Sequence, residues 1–373
     1  MTALPVGGHT ALLALQEAHA FDPAPLRSGL HGVHVPFDEM TGTPTCEAVL
    51  DRAVTAMERV AVSGGSGVGK TSLVQHVLAT SADDLAVVRV PVEAEDPATV
   101  SEPAAFAAHL VRTVARYLAE ARRISGAAQD DLVSGAGLVV STERSRHRRA
   151  GLGLPLWATD VTIATELGSV VTATGQRSGA EVVALAQQVV DTVSDRGLRP
   201  VIVIDDSDAW LRTPLGDRSD LVGPFFTRVL RMLAEELTAS LVVAVHSDYY
   251  ALPGFPADVG FIEQSIPVPE LPAPTALDRI ICARIEVLGD DSPAAEAHVT
   301  PEAIEALFAA YRSEGRSVRR AMLLAHTALQ IACQDGADAI NDRHIDAALT
   351  YYDHYDPARA DARADVDRAA GAR

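Results

Sequence analysis

Lysine is almost missing from this chain of 373 residues: 50 acidic side chains face 31 basic ones, and Lys70 is the only lysine among them. The formal net charge of −19 repels a phosphate backbone, so any nucleic-acid contact must come from a local basic patch, and a generic nucleic-acid coat is excluded. Cysteine is scarce too. Cys46, Cys282 and Cys333 are scattered without a CxxC pair, which fits neither a disulfide framework nor a zinc site and leaves them as small apolar side chains. No uncharged apolar run approaches the roughly 18 residues that span a bilayer. The opening MTALPVGGHTALLALQEAHA lacks both a basic n-region and a long apolar h-region, so the expectation is a cytoplasmic chain without membrane contact. Its length accommodates one large α/β module and a smaller helical one.

What is present centres on that lone lysine. The apolar run Glu58 to Ser63 leads into Gly64, Gly65, Ser66, Gly67, Val68, Gly69, Lys70, Thr71 and Ser72, and the helical pattern Leu73 to Leu78 follows. This is the strand, glycine loop and helix that give GxxxxGK[ST] its meaning. Average composition produces the pattern by accident in about one chain in a hundred of this length. Glycines let successive backbone N–H groups converge on a phosphate, and the new helix turns its positive end to the same point. Lys70 would reach the β- and γ-phosphates of ATP, and the Thr71 hydroxyl would ligate Mg2+. A compact ammonium fits between phosphate oxygens where a planar guanidinium does not, and here the otherwise Arg-only composition makes its single exception.

A second signal lies downstream. Val201 to Ile204 are four β-branched residues followed by Asp205, Asp206, Ser207 and Asp208. So apolar a run reads as a central parallel strand buried on both faces, with carboxylates at the end where open α/β sheets bind ligands. Asp205 is the expected magnesium-side carboxylate, and Asp206 the expected orienter or general base for an attacking water; Asp208 is read as a cap of the following turn. The competing reading is an acidic surface turn. An amphipathic helix is expected over Leu221 to Leu237. The buried strand Leu241 to Val245 then ends in His246, Ser247 and Asp248, where His246 or Ser247 could hydrogen-bond a γ-phosphate or water. A strand-end histidine bonded only to its neighbours is the other reading.

The order of these features resembles the AAA+ ATPases, in particular the branch of origin-recognition initiators, transposition regulators and STAND-like signalling ATPases. The similarity runs from about Val60 to Leu349, with Walker A at Gly64 to Thr71, Walker B at Val201 to Asp206, and the sensor 1 strand at Leu241 to Ser247. After the short edge strand at Gln264, helical patterns take over: Thr275 is expected to cap Ala276 to Leu288, and Thr300-Pro301-Glu302 opens a second helix. Ser317 to Leu324 resembles the sensor 2 helix, which implies a nucleotide-contacting role for Arg319, with Arg320 as runner-up. Ala339 to Leu349 resembles the last helix of the lid. The fold implied is a parallel P-loop α/β sheet flanked by helices, with a C-terminal helical lid. The expected division is an N-terminal extension with an adenine-side strip (1–55, the strip running from Leu26 to Phe37), a core (56–270) with an insertion at about 130–177, a lid (271–352) and a disordered tail (353–373).

Two departures from the family stand out. No trans-acting arginine lies in Ala251 to Ser265, leaving Arg212, Arg218, Arg228 or Arg231 for that task, and the initiators continue into a winged-helix domain that is not expected in the short stretch after the lid. The insertion holds Arg144, Arg146, Arg148 and Arg149 before alternating segments that read as a β-hairpin. That cluster is the candidate DNA contact, though no aromatic residues interleave with it to stack bases. The leading expectation is an ATP-hydrolysing switch that controls a protein effector in signalling or defence. A DNA-associated regulator or loader is the alternative, a P-loop kinase of a small acceptor comes third, and ATP-dependent homo-oligomer formation is compatible with the first two.

Overall fold

A computed structural model describes residues 8–22, 33–81, 84–91, 97–120, 178–195, 197–205, 212–213, 216–217, 219–287 and 298–355. The insertion with its four arginines, Asp206, Ser207, Asp208, Arg218 and the tail beyond 355 lie outside the described residues. The chain divides into two compact units, one of residues 50–63 and 81–266, the other of 1–49, 64–80 and 267–373.

The first unit is built on a sheet. Its strands are β1 (Arg59–Gly64), β2 (Leu85–Arg89), β3 (Arg199–Ile204), β6 (Ser240–His246) and β7 (Gln264–Pro267), in the order β2-β3-β6-β1-β7; β4 (Arg212–Thr213) and β5 (Gly216–Asp217) form a separate two-residue ribbon. β3 runs parallel to β2 and to β6, pairing Val201 with Val87 and with Ser240. The Glu58 carbonyl accepts the Leu241 N–H at the start of β6, and the Arg59 carbonyl accepts the Glu263 N–H before β7, so those strands start together as well. Every residue of β6 is buried, as are the last five of β3. Continuous Val/Ile runs are what a parallel sheet covered on both faces requires, and they explain why these strands were legible without alternation. The carboxyl ends of β1, β6 and β3 therefore share one edge, with β6 in the middle.

Helices cover this sheet. Pro103–Glu120 and Gly179–Ser194 pack together, the latter opened by a capping box in which Ser178 Oγ accepts the Glu181 N–H and Glu181 Oε2 accepts the Ser178 N–H. The helix expected over Leu221 to Leu237 is broken into an α-turn at Val222–Pro224, a π-helical Phe225–Leu230 and an α-helical Arg231–Glu236. Pro224 donates no N–H at this point, and the Thr227 hydroxyl bonds to the Gly223 carbonyl at 2.7 Å, so the α-ladder loses a rung where the wider turn begins. The π segment inserts Phe225 and Phe226 into the core, where Phe226 meets Phe255 with ring centroids 4.7 Å apart.

The second unit is helical. Gly8–Glu17 packs against Val318–Gln334, which also packs against Pro301–Ser313 and Asp342–Tyr355. Thr300 caps Pro301–Ser313, with Pro301 in the first turn, as the sequence implies. Ser317 caps Val318–Gln334, and Asn341 exchanges hydrogen bonds with His344 at the start of the last helix. Thr275 is not a cap: the first C-terminal helix is Pro274–Glu286, beginning two residues earlier than Ala276 because Pro274 suits the first helical site, where its missing N–H costs nothing. Arg284 is buried and donates to the Asp22 and Ala20 carbonyls at 2.7 and 3.4 Å, pinning the segment after the first helix. Among the described residues no helix is long and apolar enough to cross a membrane.

Phe225 is fully buried in the π segment. Phe225→Ala should cost about 3–5 kcal/mol, measured by urea unfolding as a lower midpoint at unchanged slope.

Candidate functional site

β1 ends at Gly64 and the helix Lys70–Thr80 begins six residues on, so the glycine loop is a tight strand-to-helix turn. Gly67 and Gly69 have φ of 75° and 112°, a region that disfavours any side chain. A Cβ on Gly64 would stand 2.8 Å from Val68 Cγ2. The loop is thus main chain closely packed on itself, with the helix's unpaired N–H groups behind it, the form that receives an anion. Lys70 is 6% exposed, and its ammonium donates to the Gly64 and Gly65 carbonyls at 2.9 Å each. Ser66 and Val68 complete the turn, and Thr71 and Ser72 stand in the first turn of the helix. A triphosphate fits this arrangement: glycines with no room for side chains, a buried ammonium and a helix amino end. The Thr71 hydroxyl, in the same unit, is a hard oxygen donor of the kind Mg2+ takes.

The loop is tied to the C-terminal helices within the same unit. The Gly67 carbonyl accepts the Arg319 N–H at 3.0 Å, satisfying one of the otherwise unpaired amides of Val318–Gln334. A Cβ on Gly67 would lie 2.4 Å from Ser317 Oγ and 2.7 Å from Arg319 Cβ. The Arg319 side chain is exposed, and no hydrogen bond or ion pair to another described residue holds its guanidinium. Arg320, by contrast, is ion-paired with Glu314 and lies 5.9 Å over the Tyr352 ring. Of the two arginines, Arg319 is the one whose charge is uncommitted among the described residues.

The N-terminal strip closes the other side of the loop. Phe37 is buried, with its ring where a Cβ on Gly69 would come within 3.1 Å. Glu47 accepts the Phe37 and Asp38 N–H groups at 2.7 and 2.9 Å and the His34 Nε2–H at 2.8 Å. Burial alone would raise its pKa, but the hydrogen bonds from His34 and from the two amides outweigh that and hold it at about 2. Neither His34 nor Glu47 was singled out in the sequence. Their partners lie 13 and 38 residues apart along the chain, a separation that leaves no spacing signal.

The remaining expected residues belong to the sheet unit. Asp205 directly follows β3, at the edge shared with the end of β1. His246 closes β6 and is 6% exposed; its Nδ1 accepts the Asp248 N–H at 3.2 Å, which places the neutral ring's proton on Nε2. Ser247, the other residue proposed there, is exposed at the start of a 3-10 turn. Arg228 faces Glu102 at 4.0 Å and Arg231 faces Glu235 at 3.6 Å, so both have carboxylates within their own unit; Arg212 sits in the small ribbon.

No protein-family model matches the sequence, and no curated protein is significantly similar to it. Among solved structures, the chain is similar at low identity to ORC and CDC6 proteins. The Aeropyrum pernix ORC1 protein in complex with DNA shares 19% identity over 86% of this chain and 66% of its own, with a TM-score of 0.46. The ORC2 protein of the same organism, in ADPNP–ADP complexes, shares 15% over 85% and 69%, also at 0.46. Drosophila ORC bound to DNA shares 15% over 94% and 68%, at 0.43. The chain thus spans about two thirds of the length of these structures. The architecture implied by the sequence, a parallel sheet flanked by helices with a helical C-terminal region, is the one observed, with five strands in the sheet.

Two outcomes follow from this geometry. Gly67→Ala should lower ATP affinity at least about tenfold, since it adds a main-chain penalty near 1–2 kcal/mol to a clash with Arg319. Gly315, at φ 76° with open space around it, serves as the control: Gly315→Ala pays the same conformational cost and should leave affinity unchanged by calorimetry. The second concerns Glu47, whose folded pKa lies below its ordinary 4.5. Its stabilisation is fully present above that value and is lost as pH falls toward about 2. The stability gap between wild type and Glu47→Gln, read by urea titration, should therefore shrink as the medium is acidified through that window.

Proposed function

We propose that this chain binds ATP with magnesium at the glycine loop, hydrolyses it slowly, and uses the bound state as a switch. The observation that carries this reading is the Gly67–Arg319 hydrogen bond, which joins the phosphate loop to the C-terminal helices beside the buried ammonium of Lys70. Anything that rearranges the loop must either keep or break that bond, so nucleotide state and helix position are coupled. In this account the loop amides and Lys70 neutralise the β- and γ-phosphates, while Thr71 and Asp205 hold magnesium, which supplies further positive charge to the phosphate oxygens. Asp206 orients the attacking water and accepts its proton. His246 or Ser247 fixes that water or the γ-phosphate by hydrogen bonding, and Arg319 draws the helices toward the nucleotide.

For the output, a DNA-bound target is the reading we place first, ahead of a protein effector. Arg144, Arg146, Arg148 and Arg149 are the densest run of positive charge in a chain whose net charge is −19, and a local patch of this kind is what phosphate contact needs. ATP-dependent self-association belongs to the same reading.

Because Lys70 is the only lysine, an amine-acylating reagent should modify one side chain besides the α-amine, counted by mass spectrometry. Magnesium and ATP together should protect that side chain; equal labelling with and without nucleotide would remove the reading. Changing Arg144, Arg146, Arg148 and Arg149 together to alanine should abolish salt-sensitive DNA binding while ATP binding persists. DNA binding that survives the change, or is absent from the wild type, returns the output to a protein effector.

A further inference from the structure

Ser72 stands one residue beyond Thr71, in the first turn of the phosphate-loop helix, and its hydroxyl is not left to solvent. It meets His34 Nδ1 at 2.9 Å, while His34 Nε2 meets Glu47 Oε1 at 2.8 Å. The His34 side chain is only 3% exposed and that of Glu47 13%. Glu47 is ionised and can only accept, so Nε2 carries the proton and the neutral ring's Nδ1 accepts from the Ser72 hydroxyl. The same imidazole lies against His76, ring centroids 4.5 Å apart, and edge-on to Phe37 at 5.7 Å. Ser72 and His76 are four residues apart and share a helix face, so one strip residue grips two successive turns of that helix. Glu47 in turn is anchored by the Phe37 and Asp38 amides, which makes the grip rigid at its far end.

Successive residues on a helix are turned about 100° from one another. Holding Ser72 and His76 therefore fixes the rotation of the helix about its axis, and with it the directions taken by Lys70 and Thr71. We propose that His34 is a positioning residue: through the Ser72 hydroxyl, with Glu47 as its anchor, it sets the orientation of the Thr71 hydroxyl toward a magnesium-bound nucleotide. The three residue types match those of a hydrolase triad, but a ring this deeply buried between two protein partners is arranged to hold, not to present an attacking serine to a substrate. The inference rests on the nucleotide reading above and assigns the N-terminal strip a part in it that does not involve the base.

The test is calorimetry of ATP with magnesium and of ADP without it. His34→Gln can reach Glu47 but offers nothing at the Nδ1 position; His34→Asn restores an acceptor there. His34→Gln and Ser72→Ala should each weaken magnesium–ATP binding about fivefold, the value of one hydrogen bond, with magnesium-free ADP changed less than about twofold. The double variant should be no weaker than either single one, and His34→Asn should recover most of the loss. In the nucleotide-free protein, amide hydrogen exchange in the first turn of the helix should quicken in His34→Gln. Equal losses with and without magnesium, additive single effects, or unchanged affinity with unchanged exchange would each overturn the proposal. Should the wild type bind no ATP, the nucleotide reading itself falls; should it bind and these variants match it, only the role of His34 does.

Discussion

An ammonium group buried to 6% exposure must be paired, because an isolated charge in such surroundings costs several kcal/mol. Lys70 meets that demand partly with the carbonyls of its own loop, at Gly64 and Gly65. Those carbonyls are weak partners for a full charge compared with phosphate oxygens, so the loop holds a cation whose best ligand is an anion. Everything else at the site follows from keeping this charge in place. The positive φ of Gly67 and Gly69 turns the main chain around it, and the helix Lys70–Thr80 adds its own positive end.

The cradle is braced from two sides within its unit. One brace is a main-chain hydrogen bond from the Gly67 carbonyl to the helix that carries Arg319. The other is the His34–Glu47 pair gripping Ser72, with Phe37 against Gly69. They differ in kind. The first lies on the loop itself and is exposed to any change that a bound phosphate imposes, which suits a contact that reports. The second is buried, charge-assisted and set in the first turn of the helix, which suits a contact that stays. The switch proposed above needs both, since a moving part transmits only what a fixed part resists.

Much of this was legible in the sequence, for physical reasons. The glycine loop could be read because its chemistry demands particular residues at consecutive positions, and β3 and β6 because a sheet covered on both faces needs unbroken apolar runs. Thr300 announced a helix start by local capping chemistry, which depends on only three or four neighbours. What could not be read was long-range. The π-helical turn at Phe225–Leu230 hides behind an ordinary amphipathic pattern, and Thr275 looked like a cap until Pro274 took the first helical site. Glu47 and His34 carry no motif, because their meaning comes from a fold that brings positions 34, 47 and 72 together. The same holds for Gly67, whose requirement for glycine comes as much from Ser317 and Arg319 as from the loop.

The central claim is that the one lysine, held by main-chain groups, captures the terminal phosphates of ATP. Calorimetry of magnesium–ATP with the wild type and with Lys70→Ala tests it most directly. The account predicts measurable, magnesium-dependent affinity in the wild type and a loss of about a hundredfold in the variant, as befits removal of a charge-assisted pair. Affinity that is absent from the wild type, or equal in the two proteins, would contradict it.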